Sequence, residues 1–228
     1  MKDQKRFEIL HFTDIHSADF LFKEIPEVLN HADLIIISGD ITHFGKQDEA
    51  QKIIANVKTY NPNILAVAGN CDYPEVEEYL KIAKIDIHRK IVRFNKYIIA
   101  GISGSLPCPG TTPYEYSESE VSSWLDELTE QIKDDEPFIF VPHEPPSETV
   151  NDEVKKGMHV GSPAIRRFIQ KTSPILCLTG HIHEGIGVDK INDCPIINPG
   201  PFRTGKYAQI EIIGESEVKI TLKQITAN

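Results

Sequence analysis

Leu34-Ile35-Ile36-Ile37-Ser38-Gly39-Asp40 is an apolar run of strand length that stops at a glycine followed by a carboxylate. Four other runs end in the same abrupt way. They are Ile9 to Phe12 before Thr13-Asp14-Ile15-His16, Ile64 to Ala68 before Gly69-Asn70, Phe138 to Val141 before Pro142-His143, and Ile175 to Thr179 before Gly180-His181-Ile182-His183. One such ending is common in buried strands. Repetition carries the argument: in open α/β sheets ligands bind beyond the carboxyl ends of the strands, and each of these ends delivers a side chain able to bind a metal.

Around these runs the pattern is β-α-β. Between Lys46 and Lys58, Ala50, Ile53, Ile54 and Val57 recur at the spacing of a helix with one buried face, and Val76, Tyr79, Leu80 and Ala83 do the same further on. Asp72, with Pro74 and Glu75 behind it, reads as the N-cap of that second helix. Phe20 to Leu29 suits a helix, with Pro26 as an obstacle. Ile91 to Phe94 and Tyr97 to Ile102 form a hairpin pattern across Asn95-Lys96. Ser117-Glu118-Ser119-Glu120 is a capping box that opens a helix carrying Val121, Trp124, Leu125, Leu128 and Ile132, and Ser162-Pro163 opens another. Two loops are expected, Gly101 to Pro113 and Glu144 to Gly161. Ile196-Ile197, Tyr207 to Ile213 and Val218 to Leu222 read as further strands, the last two alternating about Gly214-Glu215 as an antiparallel hairpin with one wet face. An α/β fold in one domain over residues 1–228 follows, with a mixed sheet or two packed sheets and helices outside.

The net charge of -10 argues against a generic nucleic-acid or anionic-membrane surface, which attract clustered Lys and Arg. Long nucleic acid is disfavoured; a small cyclic nucleotide or dinucleotide stays open. Cys71, Cys108, Cys177 and Cys194 are too widely spaced for a zinc knuckle, and Cys177 falls inside a strand, where a buried thiol is expected. The start of the chain shows no apolar signal region and no apolar run approaches about 18 residues, which suggests a soluble, cytoplasmic protein. A homo-oligomer stays open.

If the segments after the strands are extended, side chains alternate, so Asp14 and His16 share one face and His181 and His183 share another. A lone histidine at a strand end is more often structural, and His11, His31 and His88 are taken so. The joint occurrence of Asp14, His16, Asp40, Asn70, His143, His181 and His183 after apolar runs is not explained in that way. The series Asp14-x-His16, Gly39-Asp40, Gly69-Asn70-Cys71-Asp72, His143 and Gly180-His181-x-His183 resembles the calcineurin-like metallophosphoesterase superfamily. The resemblance implies two packed, mainly mixed β-sheets flanked by helices in a four-layer sandwich, with two divalent metals at the strand ends. Carried over by position, one metal takes Asp14, His16, Asp40 and His183, and the other takes Asp40, Asn70, His143 and His181.

Such a pair generates a bound hydroxide and stabilises charge on phosphoryl oxygens during in-line displacement. The resemblance therefore implies a dinuclear phosphoesterase acting on a small phosphoester, a phosphodiester ahead of a phosphomonoester. Imidazole and carboxylate donors suit Mn, Fe or Zn better than they suit an all-oxygen Mg or Ca cage; manganese is the leading expectation, with Fe, Zn, Ni and Co open. Many members of the superfamily carry His where this chain has Cys71, and the resemblance narrows to small bacterial and archaeal phosphodiesterases with Cys there. A thiol is a possible proton donor but a poor substitute for imidazolium, so Cys71 is a catalytic candidate that reads more readily as a small packing residue in the turn, and His43 and His159 are the further candidates to assist the leaving group. Asp72 and Glu184 are candidates to orient ligand imidazoles. Arg203, in Asn198-Pro199-Gly200-Pro201-Phe202-Arg203, is a candidate phosphate clamp. Thr112-Pro113-Tyr114-Glu115-Tyr116 reads as a substrate-facing loop or a proline-braced connection. The competing readings are a catalytically inactive scaffold of the same fold and a small-nucleotide nuclease.

Overall fold

The computed structural model describes residues 6–132, 136–214 and 217–226. The N-terminal residues 1–5 and Glu215 of the expected turn lie outside them. β1 (Arg6–Phe12), β2 (Leu34–Ser38) and β3 (Ile64–Val67) run parallel. An antiparallel pair, β12 (Lys206–Ile213) and β13 (Glu217–Gln224), extends this sheet from β1, in the order β13-β12-β1-β2-β3. The second sheet has the order β10-β11-β9-β6-β5-β4. In it β11 (Cys194–Asn198), β9 (Leu176–Leu178), β6 (Phe138–Pro142) and β5 (Tyr97–Ile102) are parallel, with β10 (Gly187–Ile191) and β4 (Val92–Phe94) as antiparallel edges.

The unbroken apolar run of β2 has a direct cause, because both faces of the strand are covered. Leu34 and Ile36 meet the second sheet, packing in one cluster with Ile99, Ile139, Val141, Leu176 and Leu178. Ile35 and Ile37 point the other way, to Ile53, Ile54 and Val57 of α2 (Gln47–Lys58) and Val76 and Leu80 of α3 (Pro74–Ile82). The outer face of the second sheet is covered by α4 (Glu118–Thr129) and α5 (Pro163–Thr172), whose Val121, Leu125, Ile165 and Phe168 pack on Ile98, Phe138 and Phe140. The result is helices, sheet, sheet and helices.

The helix starts follow the sequence. Ser117 and Glu120 form the reciprocal capping box of α4, and Ser162 Oγ accepts from Ile165 N at 3.1 Å with Pro163 at the first position of α5. Two expectations fail. The Phe20 to Leu29 helix is a 3-10 turn over Asp19–Glu24 followed by a separate α1 (Pro26–His31), because Pro26 has no amide hydrogen to continue a helix and instead begins one. The Glu144 to Gly161 loop contains a 3-10 turn (Val150–Asp152) and a hairpin of β7 (Glu153–Lys155) and β8 (Met158–His159), whose mostly exposed residues leave no apolar alternation. β10 was hidden for the same reason. All four cysteines are free thiols, and Cys177 is buried in β9. Among the described residues no helix is long and apolar enough to cross a membrane.

Candidate metal centre

Five parallel strand ends, those of β1, β2, β3, β6 and β9, open onto one place. The loops after β1 and β2 are stitched together by Asp14 N donating to Gly39 O (3.1 Å), His16 N to Asp40 O (2.9 Å) and Ser17 N to Ile41 O (3.1 Å). The extended geometry expected for the Asp14-His16 and His181-His183 segments is not found. Asp14, His16, Asp40 and His181 have φ of 51°, 44°, 49° and 66°. Side chains other than glycine rarely adopt this left-handed region, at a cost of order 1–3 kcal/mol each, and hold it only where the surroundings impose it. Two glycines permit the crowding: a Cβ on Gly39 would lie 2.3 Å from His143 Nδ1, and one on Gly69 would lie 2.0 Å from Asp40 Oδ1.

The seven candidate ligands converge as two groups that share Asp40. In the first, donor atoms of Asp14, His16 and His183 lie within 4.8 Å of one another, with His183 Nε2 3.2 Å from Asp14 Oδ1 and His16 Nε2 3.5 Å from Asp40 Oδ2. In the second, His143 Nε2 is 3.5 Å from Asp40 Oδ1, and Asn70 Oδ1 lies 3.0 Å from His143 Nε2 and 2.8 Å from His181 Nδ1. His181 and His183, separated in sequence by Ile182 alone, thus belong to different groups.

The candidates differ in protonation: the hydrogen bond to Asp14 pushes His183 up, while two other imidazoles are shifted toward the form that binds a metal. Burial pushes His16 down to about 4 and His181 down to about 3, so both are neutral imidazoles with a free lone pair at neutral pH. Burial would raise Asp14, but the hydrogen bond from His183 and the neighbouring His143, His183 and His16 hold it well below the usual carboxylate range. Asp40 is pushed up to about 7, by burial first and then by the negative charges of Asp14 and Asp72. Two further observations fit a cation. His16 Nε2 is buried with no hydrogen-bond partner. His143 Nδ1 lies 2.6 Å from Ser38 O, which can only accept, so Nδ1 carries a proton and Nε2 is the nitrogen turned to the other candidate ligands, 3.0 Å from Asn70 Oδ1. Donors about 2.0–2.2 Å from one ion lie some 3–3.5 Å apart, matching the short separations within each group.

The other sequence candidates separate. His43 is exposed, with Nδ1 3.4 Å from His16 Nδ1, so it stands at the rim. His159 bonds Asp152 Oδ1 at 2.7 Å in the β7-β8 hairpin, and among the described residues no hydrogen bond joins it to a ligand candidate. Cys71 N donates to Asp40 Oδ1 (2.8 Å), while burial and then the Asp40 charge push its thiol far above the ordinary value. Arg203 reaches His183 Nδ1 at 3.3 Å, and its backbone N donates to Asp14 O at 3.2 Å.

Asp72 is not the N-cap of α3; that position is Tyr73, which makes no side-chain cap. Nor does Asp72 orient an imidazole. It accepts from Ile41 N (3.0 Å), Thr42 N (2.8 Å), Thr42 Oγ1 (2.7 Å) and Gly69 N (2.9 Å), tying the loops that carry Asp40 and Asn70. Glu184 is exposed, and among the described residues no hydrogen bond joins it to an imidazole. The carboxyl beside a ligand imidazole is Glu144, fully buried, 3.7 Å from His181 Nε2, held by Leu106 N and pushed up to about 8 by burial. The available signal was its position directly after His143, within the strand-end motif.

The model of the calcineurin-like phosphoesterase family matches residues 7–185. An uncharacterized protein of Methanocaldococcus jannaschii, MJ1162, is 36% identical over 201 residues, covering 86% of this chain and 89% of that protein. The crystal structure of TT1561 of Thermus thermophilus matches with a TM-score of 0.72 at 17% identity, over 97% of this chain and 100% of that one. A purple acid phosphatase from yellow lupin (Lupinus luteus) seeds matches with a TM-score of 0.62 at 12% identity, over 97% of this chain and 52% of that one. At these identities the two solved structures speak for the fold alone.

Proposed function

Because the chain belongs to the calcineurin-like phosphoesterase family, we propose that it is a dinuclear metal-dependent hydrolase that cleaves a small phosphodiester. The observation that carries this reading is the position of Asp40, with one carboxylate oxygen 3.5 Å from His16 and the other 3.5 Å from His143. Asp14, His16, Asp40 and His183 would hold one ion, and Asp40, Asn70, His143 and His181 the other. Manganese is favoured, and the mixed imidazole, carboxylate and amide set also suits iron, zinc, cobalt and nickel. When bound, such ions activate water at neutral pH and neutralise charge on the phosphoryl oxygens.

The chain's own residues supply the remainder. The amide of Cys71 and the imidazoles on either side hold Asp40 in place, and Asp72 fixes the two loops from behind. Arg203 binds a non-bridging phosphoryl oxygen. Among the described residues it is the one guanidinium that touches the ligand set, which suits the single charge of a diester better than the double charge of a monoester. His43, exposed at the rim, donates a proton to the departing oxygen; the Cys71 thiol is too weak an acid for that step.

The test is hydrolysis of a simple aryl phosphodiester and the matching monoester by metal-replete protein. The proposal expects turnover of both, the diester faster. Turnover of neither at full metal occupancy would overturn the enzyme reading, and a faster monoester would overturn the substrate class.

A further inference from the structure

The loop that follows β5 reaches back to a single ligand residue. Tyr114 N donates to Asn70 O at 3.1 Å, and Asn70 Nδ2 donates to Thr112 Oγ1 at 3.1 Å. Thr112 Oγ1 in turn lies 2.7 Å from Glu115 Oε1, which also receives Thr112 N at 2.8 Å and, more weakly, Cys108 N (3.4 Å) and Cys108 Sγ (3.2 Å).

The direction of this chain is forced. A carboxylate only accepts, so the hydroxyl proton of Thr112 goes to Glu115 and leaves the oxygen as an acceptor. The Asn70 amide must then present its nitrogen to Thr112 and its oxygen to His143 and His181. The thiols of Cys71 and Cys108, 3.7 Å and 3.8 Å from Asn70 Nδ2, are weak acceptors and do not fix the orientation.

We propose that Thr112 and Glu115 are positioning residues that lock the Asn70 amide with its oxygen facing the second metal position, before any ion arrives. The inference rests on the two-ion reading above. It gives the Cys108 to Glu115 loop a role through Asn70, in addition to bounding the site.

The test is equilibrium binding of Mn2+ to metal-free protein, counting ions per chain and their separate affinities. Thr112→Val removes the hydroxyl at nearly constant shape. It is expected to weaken one ion by about 10- to 100-fold, the range for residues that orient a ligand, and to leave the other ion within about threefold. Thr112→Ser should restore the parent affinity. Glu115→Gln, which takes away the obligate acceptor, should weaken the same ion to a lesser degree, and it carries the test if Thr112→Val does not fold. Unchanged affinity for both ions in the variants that fold, or a Thr112→Ser as weak as Thr112→Val, would overturn the inference alone. Fewer than two ions in the parent protein would overturn the two-ion reading and this inference with it.

Discussion

Replacing Gly69 by alanine places a methyl group where the structure has no room. The added Cβ would lie 2.0 Å from Asp40 Oδ1 and 2.2 Å from the Asp40 backbone nitrogen, whereas ordinary contact begins near 3.4 Å. The carboxylate must therefore withdraw by about 1.4 Å, the difference between those distances. Rotation of the side chain alone is no escape, since the backbone nitrogen is equally crowded. Asp40 would leave its position between His16 and His143 and lose its 2.8 Å hydrogen bond from Cys71 N. Overpacking and that lost bond to a charged group together predict about 2–4 kcal/mol less stability in metal-free protein. A 1 Å misplacement at a reacting centre costs about 100-fold, so turnover should fall at least that far. Urea unfolding, Mn2+ titration and diester hydrolysis measure the three effects. Gly157→Ala, in the β7-β8 turn, is the control: its φ of +75° carries backbone strain, but nothing lies within 4 Å of the new Cβ, so it should cost about 1–3 kcal/mol and leave metal affinity alone. A Gly69→Ala protein with parental affinity and rate would refute the close approach of the two strand ends.

Cys71→His puts an imidazole beside Asp40, and turnover of diesters with poor leaving groups should rise by about 10-fold or more, while good leaving groups change little. An equal fall for both would make Cys71 a packing residue. His43→Ala should lose rate in proportion to leaving-group pKa, up to about 100-fold, and His159→Ala should stay within about twofold; the reverse ranking would transfer the proton donor to the β7-β8 hairpin. Burial raises the Glu144 carboxyl from 4.5 to about 8. A group that binds its proton more tightly when folded contributes fully below its unfolded pKa and loses that contribution as pH rises through the folded value. Metal-free protein should therefore lose stability between about pH 4.5 and 8, by at most about 1.4 kcal/mol per pH unit from this group, with Asp40 acting in the same direction up to about 7. Glu144→Gln should flatten the slope measured by urea unfolding, and identical slopes in the two proteins would remove Glu144 as its source.

The seven ligand candidates were legible because each follows a strand buried on both faces, and such strands write themselves as uninterrupted apolar runs. Their local geometry was not. Period-two alternation cannot reveal that Asp14, His16, Asp40 and His181 sit in left-handed turns, since these are imposed by neighbouring loops. Asp72 looked like a helix cap because the residues around it are those of a cap; its real partners, Ile41 and Thr42, are about thirty positions earlier in the chain. Glu144 and Glu184 each stand next to a ligand histidine, and only packing tells the buried carboxyl from the solvated one. The same limit hid what Thr112 and Glu115 do: their segment reads as a substrate-facing loop or a proline-braced connection, and nothing in its sequence shows that they reach Asn70. β7, β8 and β10 escaped because exposed edge strands carry no apolar period.

The central claim is that one carboxylate, Asp40, serves two ions in a hydrolytic site, and the most direct measurement is metal content and phosphodiester turnover in the parent and in Asp40→Asn after loading with Mn2+. The account predicts two ions per parent chain, with ion binding and rate falling together in the variant, the rate by about 100-fold or more. An Asp40→Asn protein that keeps two ions and the parental rate would contradict it.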